Sequence, residues 1–375
     1  MELLGAFLSL LLFFLAVVTG LPSRGSQTTR FVKANGTQFS LDGSKFTVVG
    51  ANAYWLSLAN LSEQDMEKVF SEISESGATT VRVWGHNEMP ESQITPQTIY
   101  YQSWSGNKAT INYGANGLRY FDRVVESAKR HNLRLIVVLM SYWNAADGKT
   151  GGVETYARQM LTTPVNHGGF FIDEGAKNVF KTYVKAVVGR YRDNPTVMSW
   201  ELGHDMICMW VGGRKCPAGS LTAWTRELSS FIKSIDPNHL VASGDPGDYN
   251  KTDTDALEYS GWAGLDFEVN IVMDSIDYGT FSLSGIDPMR WIDDHVETAT
   301  LAHKPLIFNK FGPEIYQEWL DKLVSAGVAG SFYWQFGSED IRMNMPYWFY
   351  GDYVPRGSHT YRLLVDHAKA MKDRP

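Results

Sequence analysis

The side chains best suited to chemistry in this chain recur at one kind of place, the downstream end of a short apolar run. Ser199-Trp200-Glu201-Leu202 runs into Gly203-His204-Asp205-Met206, and the run Pro305–Phe311 carries Asn309-Lys310-Phe311-Gly312 at its end. Asp205 beside His204 sets a carboxylate next to an imidazole, a pair able to move a proton. Lys310 offers an amine that serves as base or nucleophile if its pKa falls, and as a plain counter-ion if it does not. Arg82, in Arg82-Val83-Trp84, adds a second cation, and Asp205 can pair with either. Three readings stay open for this group: a mutually satisfied charge cluster, a pocket for an anionic or carbonyl-bearing group, or part of a sugar site. Asn52-Ala53-Tyr54-Trp55, Tyr142-Trp143-Asn144 and Tyr333-Trp334-Gln335 bring aromatic rings to the same kind of position. A ring stacks on the C–H face of a pyranose while nearby polar groups bond its hydroxyls. Any one of Trp55, Trp84, Trp143 or Trp334 reads equally well as core packing. As a set they read as the lining of a cleft.

The elements that must position these residues are legible from periodicity. Apolar runs at Phe46–Asn52, Thr79–Trp84, Leu133–Met140, Val197–Leu202, Leu240–Ser243, Leu265–Ile271, Pro305–Phe311 and Gly330–Trp334 read as strands. Amphipathic segments at Ser62–Ser76, Gly117–His131, Asn178–Tyr191, Ser220–Ile235, Pro288–His303 and Ile315–Ala326 read as helices. Continuously apolar strands separated by helices indicate a parallel sheet covered on both faces. Eight of them give an α/β fold, a single (β/α)8 TIM barrel over residues 31–375. Residues 87–117 and 142–171 lack strong periodicity and read as long loops at the C-terminal face, where barrel sites form.

Composition narrows the partners. A formal charge of −7 with no basic run excludes nucleic acid and anionic membrane as partners. Leu3–Val18 is one apolar run, short for a membrane span and suited to a secretory signal over residues 1–20, with a mobile lead-in at 21–30. Glu2 in place of a basic start leaves a membrane-anchored N-terminus as the alternative. Cys208 and Cys216 can close a small loop in an oxidising compartment, and their spacing is not that of a metal site. Sequons at Asn35, Asn60 and Asn250 fit a secreted, extracellular glycoprotein. No metal or cofactor is expected. The expected state is a monomer whose partner is a carbohydrate or a small molecule.

These segments together resemble glycoside hydrolase family 5, most closely its endo-β-1,4-mannanases. The resemblance rests on Gly50-Ala51-Asn52-Ala53-Tyr54-Trp55, Val81-Arg82-Val83-Trp84, Trp143 with Gly151-Gly152, Trp200-Glu201-Leu202, Asp266-Phe267, Phe311-Gly312 and Tyr333-Trp334-Gln335. It implies a barrel that cleaves mannan with retention. It also implies that the acid/base glutamate is replaced by Asp205, the preceding asparagine by His204 and the nucleophile by Lys310. A His-x-Tyr segment after the Asp-Phe strand is replaced by Ile271-Val272-Met273. Retention needs two carboxylates roughly 5–5.5 Å apart, and a lysine cannot form the glycosyl ester. Glu314, Glu339 and Asp340 are the remaining nearby carboxylates. The resemblance therefore implies a mannanase-like scaffold without the retaining machinery. Such a scaffold binds a carbohydrate, performs other chemistry through Asp205, His204 and Lys310, or keeps residual mannan hydrolysis.

Overall fold

The computed structural model of the chain describes residues 31–143, 151–161, 167–210, 214–252, 254, 256–283, 287–312, 315–339, 341 and 353–374. The signal and lead-in expected over residues 1–30 lie outside the described residues, as do Asn144, Glu314 and Asp340. Eight strands form one parallel sheet: β1 (Val48–Asn52), β2 (Thr80–Trp84), β3 (Arg134–Val138), β4 (Val197–Glu201), β5 (Leu240–Ala242), β6 (Gly279–Ser282), β7 (Leu306–Phe311) and β8 (Gly330–Tyr333). The hydrogen-bonded order runs β5-β4-β3-β2-β1-β8-β7-β6. The seam between β5 and β6 is closed by single bonds rather than a ladder. The Asp277 amide donates to Val241 O at 2.8 Å, and the Asp277 carboxylate accepts from the Val241 amide at 2.6 Å.

A helix follows each strand: α1 (Glu63–Glu75), α2 (Leu118–Arg130), α3 (Glu174–Tyr191), α4 (Ser220–Ile235), α5 (Phe267–Ile271), α6 (Pro288–Leu301), α7 (Gln317–Ser325) and α8 (His359–Asp373). Side-chain caps start several of them. Ser62, Asp173, Asp287 and Ser358 each accept a first-turn backbone N–H, and Pro288 occupies the first turn of α6.

Three expectations change, the first being that the segment 142–171, read as a long loop, carries the helices Val153–Met160 and Gly169–Ile172. The run Leu265–Ile271 is not a strand, because Asp266 caps a helix and Phe267, Asn270 and Ile271 are buried at helical spacing. The sixth strand is Gly279–Ser282, one loop later. The segment 87–117 is not simply a loop either, since Glu88–Pro90, Gln102–Ser105 and Lys108–Ile111 form a small sheet. Helix α8, absent from the periodicity reading, buries Leu364, His367, Ala368 and Met371.

Polarity inside the barrel rises from one end to the other. Three antiparallel strands, Lys33–Asn35, Gln38–Leu41 and Ser44–Phe46, cover the N-terminal end, and Phe39 meets Tyr278 edge-on at 5.4 Å. Val48, Ile136, Met198, Leu240, Ile307 and Phe332 complete this apolar floor. Above it Ser199 and Tyr278 share a hydrogen bond at 2.7 Å. The C-terminal mouth is charged. Packing at the floor leaves no slack: a Cβ on Gly50 of β1 would lie 1.8 Å from Thr80 O on β2. Gly50→Ala should therefore separate β1 from β2 and cost about 3 kcal/mol or more, read as a drop in the urea midpoint at unchanged slope. Wild-type stability of that variant would refute the close approach.

Candidate functional site

The mouth of the barrel is built from strand ends lying side by side. Asn52 on β1 pairs in register with Arg82 on β2, and Ser282 on β6 with Lys310 on β7. The Asn52 amide donates to Asn309 O at 3.0 Å and Tyr333 O at 3.2 Å, so β1 is stitched to β7 and β8. Its carbonyl oxygen accepts from Arg82 at 3.0 Å. Arg82 has no solvent exposure, and its Nε donates to Glu201 Oε2 at 2.6 Å. The guanidinium centre also lies 5.1 Å from the Trp84 ring centroid. One Arg82 terminal nitrogen, Nη2, has no acceptor among the described residues. A lysine at position 310 supplies none.

His204 lies directly above. Arg82 can only donate, so His204 Nδ1, 3.3 Å from Arg82 Nη1, is the acceptor and Nε2 carries the proton. That Nε2 faces Asp205 Oδ2 at 3.3 Å. Burial holds the imidazole well below its usual pKa, with the Asp205 charge opposing and the Arg82 charge assisting. His204 is therefore a neutral spacer between two charged groups. Asp205, at φ 48° in the left-handed region, accepts the Lys310 ammonium at 2.9 Å. Burial pushes its carboxyl up, but the His204 and Lys310 contacts more than compensate and hold it well below the usual carboxylate range. Charge thus alternates along the mouth as Glu201, Arg82, neutral His204, Asp205 and Lys310. Asp205 selects Lys310 as its direct partner, and Arg82 is committed to Glu201.

The aromatic set divides in two. Trp334 is half-buried and stacks on Tyr54 at 5.1 Å and on His204 at 5.6 Å, both nearly parallel, with the Lys310 ammonium 5.3 Å from its centroid. Trp143 stands at the rim, 54% exposed, and meets Tyr142 edge-on at 5.0 Å. Trp55 and Trp84, read with the others as the lining of a cleft or singly as core packing, are buried. Trp55 Nε1 donates to Phe336 O at 2.9 Å, and Trp84 packs against His204 at 4.8 Å. They hold the wall that carries Trp334. Ile271 and Met273, expected at the mouth, belong to α5 and the turn after it. The end of the sixth strand is Ser282. Glu339 is exposed.

Three groups were not read from the sequence. His86 bonds the buried carboxylate of Glu88 at 3.2 Å and stacks on Trp84 at 6.3 Å. The signal was present in Trp84-Gly85-His86-Asn87-Glu88, just past a strand end. Asp245 and Asp248 sit in the loop after β5, and burial pushes them up to about 6 and about 7, the Asp245 charge adding to the effect on Asp248. Cys208 and Cys216, by contrast, form the disulfide expected from the sequence, in the loop after β4.

These contacts make two stability predictions. Lys310→Met leaves Asp205 without its ammonium and should cost about 2 kcal/mol, while Lys310→Met with Asp205→Asn recovers most of that loss. Equal urea midpoints for wild type and the single variant would show the pair to be inert. For Asp248 the folded value lies above the ~3.9 of an unfolded aspartate. The unfolded chain then ionises first, and stability falls as pH rises from about 4 to about 7. Asp248→Asn should stabilise by about 2 kcal/mol near pH 8 and hardly at all near pH 4. A gain independent of pH would contradict this.

Against this geometry the known proteins can be set. The sequence profile described as GH family 5 beta-mannosidase-like matches residues 29–336. Mannan endo-1,4-beta-mannosidase F of Aspergillus fumigatus is 32% identical over 326 residues, spanning 83% of this chain and 71% of its own. Mannan endo-1,4-beta-mannosidase A of Hypocrea jecorina is 33% identical over 324 residues, again 83% and 71%. The endo-1,4-beta-mannanase from Rhizomucor miehei superposes with a TM-score of 0.80 at 29% identity, covering 91% of this chain and 99% of that one. Motifs, topology and sequence agree over most of the chain, which belongs to the glycoside hydrolase family 5 β-mannosidase-like family.

Proposed function

We propose that this chain is a secreted, mannanase-like protein that binds a carbohydrate at the barrel mouth without hydrolysing it. One observation carries the reading: Lys310 Nζ lies 2.9 Å from Asp205 Oδ2. The two positions that the motif resemblance assigns to nucleophile and acid/base are thus a cation and its counter-ion. A retaining glycosidase needs one carboxylate to attack carbon and another to deliver a proton. Lys310 cannot make the ester. Asp205, held ionised, has no proton to give to a leaving oxygen at neutral pH. A positive charge at the nucleophile position also opposes the developing oxocarbenium ion. The relatives named above are mannan-degrading enzymes, and the half-buried Trp334 and exposed Trp143 supply surfaces suited to a sugar's C–H face.

The rival in which Asp205, His204 and Lys310 perform other chemistry needs one of them released, and each is engaged with another. Secretion is supported by the apolar run at Leu3–Val18, the Cys208–Cys216 disulfide and the exposed side chains of Asn35, Asn60 and Asn250. No helix among the described residues is long and apolar enough to cross a membrane.

Incubating the protein with soluble mannan tests the reading directly. No reducing ends should appear above a buffer control, while affinity electrophoresis in the same polymer shows retardation. Trp334→Ala should weaken that retardation by about tenfold, the scale of one lost stacking contact. Reducing ends released by wild type and not by Asp205→Ala would establish residual hydrolysis instead.

A further inference from the structure

From the Asp205–Lys310 pair we infer that the sugar recognised at this mouth is acidic, carrying a carboxylate on the ring or on its exocyclic carbon. The inference rests on the carbohydrate-binding reading above and goes beyond it by naming the ligand's charge. Three observations support it. First, the two partners of the ion pair are not equally presented: the Lys310 side chain is 34% exposed and that of Asp205 12%. An ammonium has three protons, and Asp205 uses one, so the face of the pair turned to solvent is a hydrogen-bond donor. Second, the guanidinium beneath it keeps an unmatched N–H. Arg82 Nη2 has no acceptor among the described residues, and the nearest buried carboxylate, Glu201, is already taken by Arg82 Nε and by the Tyr278 hydroxyl at 3.4 Å. Arg82 is sealed and does not touch the ligand; its charge is matched by Glu201, and its unmatched N–H adds a donor dipole from below. Third, the cation and a half-buried ring are close neighbours. Lys310 Nζ lies over the Trp334 ring, 5.3 Å from its centroid, so a sugar against this ring meets the ammonium.

A neutral hydroxyl also accepts from an ammonium, but a charge-assisted bond to a carboxylate is shorter and roughly twice as strong. The protein's overall charge of −7 does not defeat this. At physiological salt, charges farther than about 8 Å are largely screened, whereas Lys310 is in direct contact. Asp205 holds one of the three ammonium protons and draws also on the His204 N–H at 3.3 Å, which leaves two protons for a ligand.

The test uses the full chain and two matched probes, a β-1,4-linked oligomannuronate and the β-1,4-manno-oligosaccharide of the same length, which differ only at carbon 6. Titration is followed by tryptophan fluorescence at about 20 mM and about 500 mM salt, concentrations that take the screening length from tens of ångströms to a few. The acidic oligomer should bind about tenfold more tightly at low salt, and high salt should erase most of that margin. Lys310→Gln should abolish the discrimination, and Lys310→Arg, which keeps the charge, should retain it. Equal or tighter binding of the neutral oligomer overturns the inference while leaving carbohydrate binding intact. Failure of both probes to bind overturns the carbohydrate reading as well. Should Lys310→Gln fail to fold, the matched pair and the salt dependence of the wild type decide the question alone.

Discussion

A guanidinium sealed inside the barrel is the constraint on which the mouth of this protein depends. Arg82 stays charged at any accessible pH, and the fully buried Glu201 at 2.6 Å is its counter-ion, although burial raises the Glu201 pKa against the Arg82 attraction. That obligation decides the neighbours' roles. Asn52 is held by its carbonyl oxygen to Arg82 and by its amide to β7 and β8, so one side chain ties four strand ends together. His204 must offer Arg82 a lone pair, which fixes its tautomer and turns its N–H toward Asp205.

The Asp205–Lys310 pair is the next consequence. With Arg82 committed, the only ammonium or guanidinium in direct contact with Asp205 among the described residues is Lys310. An ion pair at a partly wetted mouth adds little net stability, because desolvation offsets most of the attraction. Its effect is geometric and electrostatic. It joins the end of β7 to the loop after β4, places an ammonium beside Trp334, and keeps Asp205 ionised. Of these, the ammonium is the group suited to a ligand with acceptor atoms.

Much of this is legible in the chain itself. Seven of the eight barrel strands fall within the expected runs, since a strand buried on both faces must be continuously apolar. The site residues on β2, β4, β7 and β8 follow, because a residue at the downstream end of such a strand can only lie at one face. The error at Leu265–Ile271 has the same physical root. A short apolar run reads alike as a strand or as the buried side of a one-turn helix, and only the Asp266 cap with burial at helical spacing separates them. His86, Asp245 and Asp248 were missed because they lie in loops, where no periodicity announces which way a side chain turns.

The sequence by itself determined the scaffold and the residue types at the strand ends, a lysine at position 310 among them, since strand periodicity and residue identity are local properties. What only the tertiary structure decided was who pairs with whom. Arg82 and Lys310 were equally plausible partners for Asp205 in the chain. Packing placed Glu201 beside Arg82 and put His204 between Arg82 and Asp205. Likewise four tryptophans at strand ends were chemically alike as written, and burial alone separated the supporting Trp55 and Trp84 from the presented Trp143 and Trp334. Pairing and exposure depend on distances between residues far apart in the chain, which no local pattern encodes.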